Sequence, residues 1–126
     1  MENMKKLLIA EDEASIRQAL LDSFKGVDRL TIHVAHNGQE ALDLARQEHP
    51  DLILLDVIMP KMHGIDMLDA VQSEPWGQSI PVILLTNYAD DPKVVKAVAA
   101  GKCELMKKFD VRLQDIVAKV KTKLAL

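Results

Sequence analysis

The sequence predicts an α/β fold, a five-stranded parallel sheet wound with helices on both faces, and three observations carry that prediction. Short apolar runs alternate five times with amphipathic segments along 126 residues. Two of the runs, Leu52-Ile53-Leu54-Leu55 and Pro81-Val82-Ile83-Leu84-Leu85, are apolar at every position, which suits strands covered on both faces. The connections between segments are short, and strand–helix alternation of this kind winds through right-handed crossovers into a parallel sheet.

The first strand is Lys6-Leu7-Leu8-Ile9-Ala10, closed by the acidic Glu11-Asp12-Glu13. From Ala14 to Lys25 the residues Ile16, Ala19, Leu20 and Phe24 recur at helical spacing, and Gly26 follows as a stop. Leu30 to Ala35 is β-branched enough for a second strand. Asn37-Gly38 reads as a turn, after which Ala41, Leu42, Leu44 and Ala45 form a helical stripe that ends at Pro50. The third strand, Leu52 to Leu55, stops at Asp56. Met59-Pro60 and Gly64 punctuate the next loop, and Ile65, Leu68 and Val71 mark a third helix. Thr86 ends the fourth strand. Pro92 sits where a first helical turn tolerates it, and Val94, Val95, Val98 and Ala99 run on to Gly101. A strand over Glu104–Lys107 and a helix over about 112–124 complete the series.

Length and composition bound the function. A chain of 126 residues is one domain, 1–126, able to bury roughly two thirds of its unfolded surface, and no linker or effector segment divides it. Sixteen Lys and Arg against nineteen Asp and Glu leave a net charge of −3, which argues against a general nucleic-acid binder. No apolar run approaches the ~20 residues of a membrane span, and the start lacks the core of a secretory signal. One cysteine can make neither an internal disulfide nor a thiolate-rich zinc site. A cytoplasmic setting is the expectation.

In open α/β sheets ligands bind outside the carboxyl ends of the strands. Here those ends carry Glu11 and Asp12, Asp56, Thr86, and the pair Lys107-Lys108. Two carboxylates ~4 Å apart repel by about 4 kcal/mol at an effective dielectric near 20, so three together need a counter-charge. An all-oxygen donor set prefers Mg²⁺ or Mn²⁺ to zinc. A hydroxyl that donates to a phosphate oxygen and a lysine that neutralises it complete a phosphoryl site. Any one strand-end acid is more often a cap or a turn former. Four of five strand ends carrying complementary chemistry on one edge is what raises the functional reading above the bland one.

The sequence resembles the receiver domain of two-component response regulators. The resemblance rests on Ile9-Ala10-Glu11-Asp12-Glu13, on the segment from Asp56 through Met59-Pro60 to Gly64, on Pro81 to Thr86, and on Gly101 followed seven residues later by Lys108. It covers essentially the whole chain and implies the (βα)5 flavodoxin-like, CheY-like form of the doubly wound fold. By that resemblance Asp56 is the phosphoacceptor, attacking a phosphohistidine on a histidine kinase or histidine phosphotransfer protein. Asp12 is implied as a direct Mg²⁺ ligand, Glu11 as one acting through water, and Ile58 as a ligand through its backbone carbonyl. Lys108 would pair with the phosphoryl group, and Thr86 would swing inward to hydrogen-bond it. The family then remodels the face of its fourth helix, fifth strand and fifth helix. Its chemistry is self-directed, so the protein is not expected to be an enzyme in the ordinary sense. A monomer is expected, with dimerisation on phosphorylation left open.

Three positions depart from the family pattern. Phe109 stands where a cis-proline usually follows the lysine; a non-proline cis bond costs ~2.5–4 kcal/mol, so a trans bond could place Lys108 differently. Lys107 is the less favoured substitute, aimed by strand alternation toward the output face. Leu105 occupies the usual aromatic switch position, for which Tyr88 is a candidate replacement. Asn87 stands where a small residue is common. Ile58 and Tyr88, two residues after Asp56 and Thr86, lack an acid or amide to orient a hydrolytic water, which implies slow self-dephosphorylation. His33, His36, His49 and His63 show no metal-ligand spacing, and Cys103 reads as a small filler. Met4, Met59, Met62, Met67 and Met106 read as packing residues, and Trp76 as a cover for a loop far from the site. A nucleotide-binding fold would want glycines where Glu11-Asp12-Glu13 stands, and a dehalogenase-type phosphatase an acid at Ile58. An unphosphorylated pseudo-receiver is the alternative that Phe109 and Leu105 keep open.

Overall fold

The computed structural model describes residues 4–108 and 110–126. Five strands, β1 (Lys5–Ala10), β2 (Leu30–Ala35), β3 (Leu52–Leu55), β4 (Val82–Thr86) and β5 (Glu104–Lys107), pair in parallel in the order β2-β1-β3-β4-β5. The helices between and after them are α1 (Ala14–Ser23), α2 (Gly38–Glu48), α3 (Gly64–Gln72), α4 (Pro92–Ala99) and α5 (Leu113–Leu124). The predicted doubly wound sheet is the observed one. The chain leaves β1 in one direction to β2 and then crosses back to β3, so the switch in strand order lies between β1 and β3.

Strand alternation divides the core into two layers. Leu8, Ala10, Ile53, Leu55, Val82 and Leu84 face α2, α3 and α4, where they meet Ala41, Leu42, Leu68, Val71 and Val94. Leu7, Ile9, Leu52, Leu54, Ile83 and Leu85 face α1 and α5, against Leu20, Phe24, Ile116 and Val120. Every residue of β3 and β4 is buried, as a strand sandwiched between two helical layers must be. Among the described residues no helix is long and apolar enough to cross a membrane.

Several local expectations are refined. Asn37-Gly38 is a helix start rather than a turn: the Asn37 side chain accepts the Glu40 amide at 2.8 Å and caps α2. α1 ends at Ser23, and the chain turns through Gly26 at φ +85°. On α4 the buried face is Val94 and Ala97, while Val95 is exposed, because neighbours one residue apart point ~100° away from each other around a helix. Met67 and Met59 are buried, whereas Met4 is exposed. Trp76 lies against the α2–α4 layer at the far end of the sheet, stacked on His49 with ring centroids 4.5 Å apart. The geometry of the Lys108–Phe109 bond lies outside the described residues.

Candidate functional site

Register alone brings the acids together. Ala10 of β1 stands beside Leu55 of β3, and the Asp56 amide donates to the Ala10 carbonyl at 3.0 Å, so the residues one step further, Glu11 and Asp56, are lateral neighbours. Glu11 is fixed from the other side by its amide, which donates to Ala35 of β2. On the far side of β4, Thr86 pairs with Lys107, and the Lys108 amide donates to the Thr86 carbonyl at 3.1 Å. Lys108 is thereby turned back over the sheet edge. Its Nζ reaches Glu11 Oε1 at 2.7 Å and Asp56 Oδ2 at 3.2 Å. Lys107 is exposed and lines a cavity of about 350 Å³ with Asn87, Ala89, Asp90 and Asp110.

The acids occupy unequal environments. Glu11 and Asp56 are buried, and Asp12 is exposed at the rim. Carboxylate oxygens of the three lie within 4.8 Å of one another. Asp56 Oδ1 accepts the Val57 amide at 2.8 Å, which leaves Oδ2 toward Lys108. Glu11 Oε1 is a buried oxygen whose near neighbour is the Lys108 ammonium, and it has no other hydrogen-bond partner among the described residues. Burial, and then contact with the Asp56 carboxyl, pushes the Glu11 pKa up to about 7, with Lys108 opposing. Burial works against the Lys108 charge as well, but Glu11 and Asp56 outweigh it and hold its pKa above the ordinary value.

Three clustered carboxyls against one ammonium leave the cleft short of positive charge, and the buried Glu11 Oε1 has only that ammonium beside it among the described residues. An all-oxygen set of this kind fits a hard divalent cation such as Mg²⁺. Glu11, Asp12 and Asp56 are the side chains that could hold it.

The remaining predicted residues surround this centre. Thr86 is fully buried, and its hydroxyl oxygen accepts the Tyr88 amide at 3.0 Å, which leaves the hydroxyl proton for another acceptor. The Tyr88 side chain is 52% exposed and the Ile58 side chain 44%, so both stand at the rim rather than in the cleft. Leu105 is half-buried against the α2–α4 layer. Gly64 lets α3 begin directly under the acceptor loop: its amide donates to Val57 at 2.7 Å, and a Cβ there would strike the Asp56 carbonyl oxygen and Val57 Cα.

Two contributors were not legible in the sequence. Arg17 of α1 donates from Nη1 to the carbonyls of Glu11 at 2.9 Å and Asp12 at 3.3 Å. His63 caps α3 by accepting the Ile65 amide at Nδ1, which turns its Nε2 toward Asp91, 3.9 Å away, at the start of α4. An arginine one helical turn after an acidic loop was the only available signal for the first.

The response regulator receiver domain family model matches residues 7–121. The regulatory protein AtoC of Escherichia coli is 36% identical over 112 residues, which are 88% of this chain and 24% of that protein. The transcriptional regulatory protein PdtaR of Mycobacterium tuberculosis is 35% identical over 108 residues, covering 85% of this chain and 51% of that protein. The chain thus spans a quarter to a half of the length of these relatives. The chemotaxis response regulator CheY4 of Vibrio cholerae superposes with a TM-score of 0.83 at 26% identity, over 96% of this chain and 99% of that one.

Proposed function

Because this chain belongs to the response regulator receiver domain family, we propose that it is a phosphorylation-controlled switch of a two-component or phosphorelay system. Asp56 takes the phosphoryl group from a phosphohistidine on a histidine kinase or histidine phosphotransfer protein. One carboxylate oxygen forms the new P–O bond as the P–N bond breaks, and the bonding pair leaves with the imidazole nitrogen. The acyl phosphate is later hydrolysed, and no external substrate is turned over. The observation that carries this reading is the Lys108 ammonium lying against the two buried carboxylates of Glu11 and Asp56 at the strand-order switch.

Mg²⁺ or Mn²⁺, held by Glu11, Asp12, Asp56 and the Ile58 carbonyl, would supply charge neutralisation and alignment for the transfer. The protein's own groups do the rest. Lys108 already stands beside Asp56 Oδ2 and stays paired with the charge that arrives there. Phosphorylation brings about −1.5 to −2 charges and three acceptor oxygens into the cleft. Thr86 holds a hydroxyl proton for one of them, and turning toward it releases the Tyr88 amide, which loosens the loop into α4. A local change at Thr86 thereby reaches the face of α4, β5 and α5. This face docks a protein target in the cytoplasm rather than nucleic acid or a membrane, and the protein works as a monomer or dimerises when phosphorylated.

The test is intact mass after incubation with a small-molecule phosphodonor, with and without Mg²⁺, beside Asp56→Asn. One metal-dependent phosphoryl adduct that the variant lacks is the expected result. A folded, cation-binding protein that takes no adduct would instead support a receiver that binds partners without phosphorylation.

A further inference from the structure

We propose that Arg17 is a positioning residue for the cation site, acting on the backbone that presents Glu11 and Asp12; this rests on the reading of that site as a divalent-cation centre. α1 begins without a side-chain cap: Glu13 is its N-cap residue and makes no capping hydrogen bond. Within the connection from β1 into α1 the one local side-chain bond among the described residues is the long one from the Glu13 amide to Glu11 Oε2, at 3.4 Å, which holds no backbone carbonyl of the two acids. Arg17 supplies that hold from the next turn. Helical side chains lean toward the helix N-terminus, and the Arg17 guanidinium reaches back past Glu13. There a single nitrogen, Nη1, donates to the carbonyl of Glu11 at 2.9 Å and to that of Asp12 at 3.3 Å.

These two bonds complete the immobilisation of the loop. Glu11 is fastened on its amino side by the Ala35 carbonyl and on its carboxyl side by Arg17. With the carbonyls of Glu11 and Asp12 held, the backbone from which the Asp12 side chain departs is set before any cation arrives. Asp12 most needs this help, because it is exposed and nothing buries it into place. Arg17 donates to carbonyls and not to the carboxylates, so it takes no acidic oxygen away from the cation.

Charge and geometry make opposite demands here, and that makes the inference testable. As a nearby positive charge Arg17 repels a divalent cation, so its removal should tighten binding if charge were its main effect. As a fastener it lowers the ordering that binding requires, so its removal should weaken binding. The experiment is calorimetric titration with magnesium chloride of the wild type, Arg17→Ala, Arg17→Lys, Asp12→Asn and Gln18→Ala, with thermal unfolding of each in chelator. Gln18 sits beside Arg17 on α1 but bonds Asp22 and serves as the control. Losing a residue that orients metal ligands typically weakens the metal by tenfold or more, so Arg17→Ala should weaken Mg²⁺ by about that factor. Arg17→Lys, with an ammonium able to reach a carbonyl, should fall between, and Gln18→Ala should match the wild type. Folded Arg17→Ala that binds Mg²⁺ as tightly as the wild type, or more tightly, overturns the proposal while leaving the cation site standing. A wild type that binds no Mg²⁺ overturns both.

Discussion

Replacing Glu11 by glutamine removes an ionisable group from beneath the cleft while keeping its size. In the unaltered protein, burial and the adjacent Asp56 lift the carboxyl from 4.5 to about 7. A carboxyl whose pKa is higher folded than unfolded carries stability that is fully present below the unfolded value and lost as pH rises through the folded one. The window here runs from about 4.5 to just above 7. One pH unit of pKa corresponds to about 1.4 kcal/mol, so the loss approaches about 3 kcal/mol by pH 8. It is shared with Asp56 and Lys108, which touch the same group. Glu11→Gln escapes it and forfeits part of the contact with Lys108. In chelator at pH 8 the variant should therefore be more stable than the wild type by about 1–3 kcal/mol, a margin that disappears near pH 4.5. Urea unfolding across pH 4.5 to 8 reads this directly, and Mg²⁺ should close the gap at pH 8 by stabilising the wild type more. Stability curves that run parallel over the whole range would refute the electrostatic account of the cleft.

Other perturbations test separate parts. Gly64→Ala, whose Cβ meets the acceptor loop, should destabilise the protein by about 1–3 kcal/mol in urea unfolding and slow phosphorylation of Asp56. Lys61 is exposed and held at φ +69°, so Lys61→Gly should raise stability by about 0.5–1 kcal/mol; a loss would mean that the lysine side chain serves the loop. Contacts with Lys119 and Lys123 hold the half-exposed Glu104 carboxyl below its ordinary 4.5. The stability it carries is present above that value and fades as pH falls through the lower folded one. Glu104→Gln should thus cost a few tenths of a kcal/mol at neutral pH and nothing in strong acid. Finally, with Ile58 and Tyr88 at the rim, the phosphorylated protein should lose its phosphoryl group more slowly than Ile58→Asn or Tyr88→Glu. Faster loss from the wild type, followed by intact mass over time, would end that reading.

What the sequence made legible follows from how each feature is encoded. β3 and β4 are apolar at every position, a pattern that specifies burial on both faces and hence a central place in a parallel sheet. The strand-end acids, Thr86 and Lys108 could be read because a parallel sheet gathers all its carboxyl ends on one edge. The choice between Lys107 and Lys108 turned on alternation, and Lys108 is the lysine whose Nζ reaches the carboxylates. Other features depend on contacts that spacing does not encode. The buried face of α4 is set by where the helix lies on the sheet, so the run of valines did not reveal that Val95 points outward. Tyr88, the candidate replacement aromatic, has half its surface in solvent, and its amide donates to the Thr86 hydroxyl oxygen, a contact that spacing could not reveal. Arg17 and His63 work on backbone groups or across elements, where side-chain direction decides and sequence distance says little.

The central claim is that Asp56 carries an acyl phosphate. Borohydride reduces an acyl phosphate on aspartate to homoserine and leaves an ordinary carboxylate untouched. After phosphorylation in Mg²⁺ and borohydride treatment, fragment sequencing should find homoserine at position 56 and at no other. A reduced residue at Glu11 or Asp12, or no reduced residue in protein whose mass shows the adduct, would contradict it.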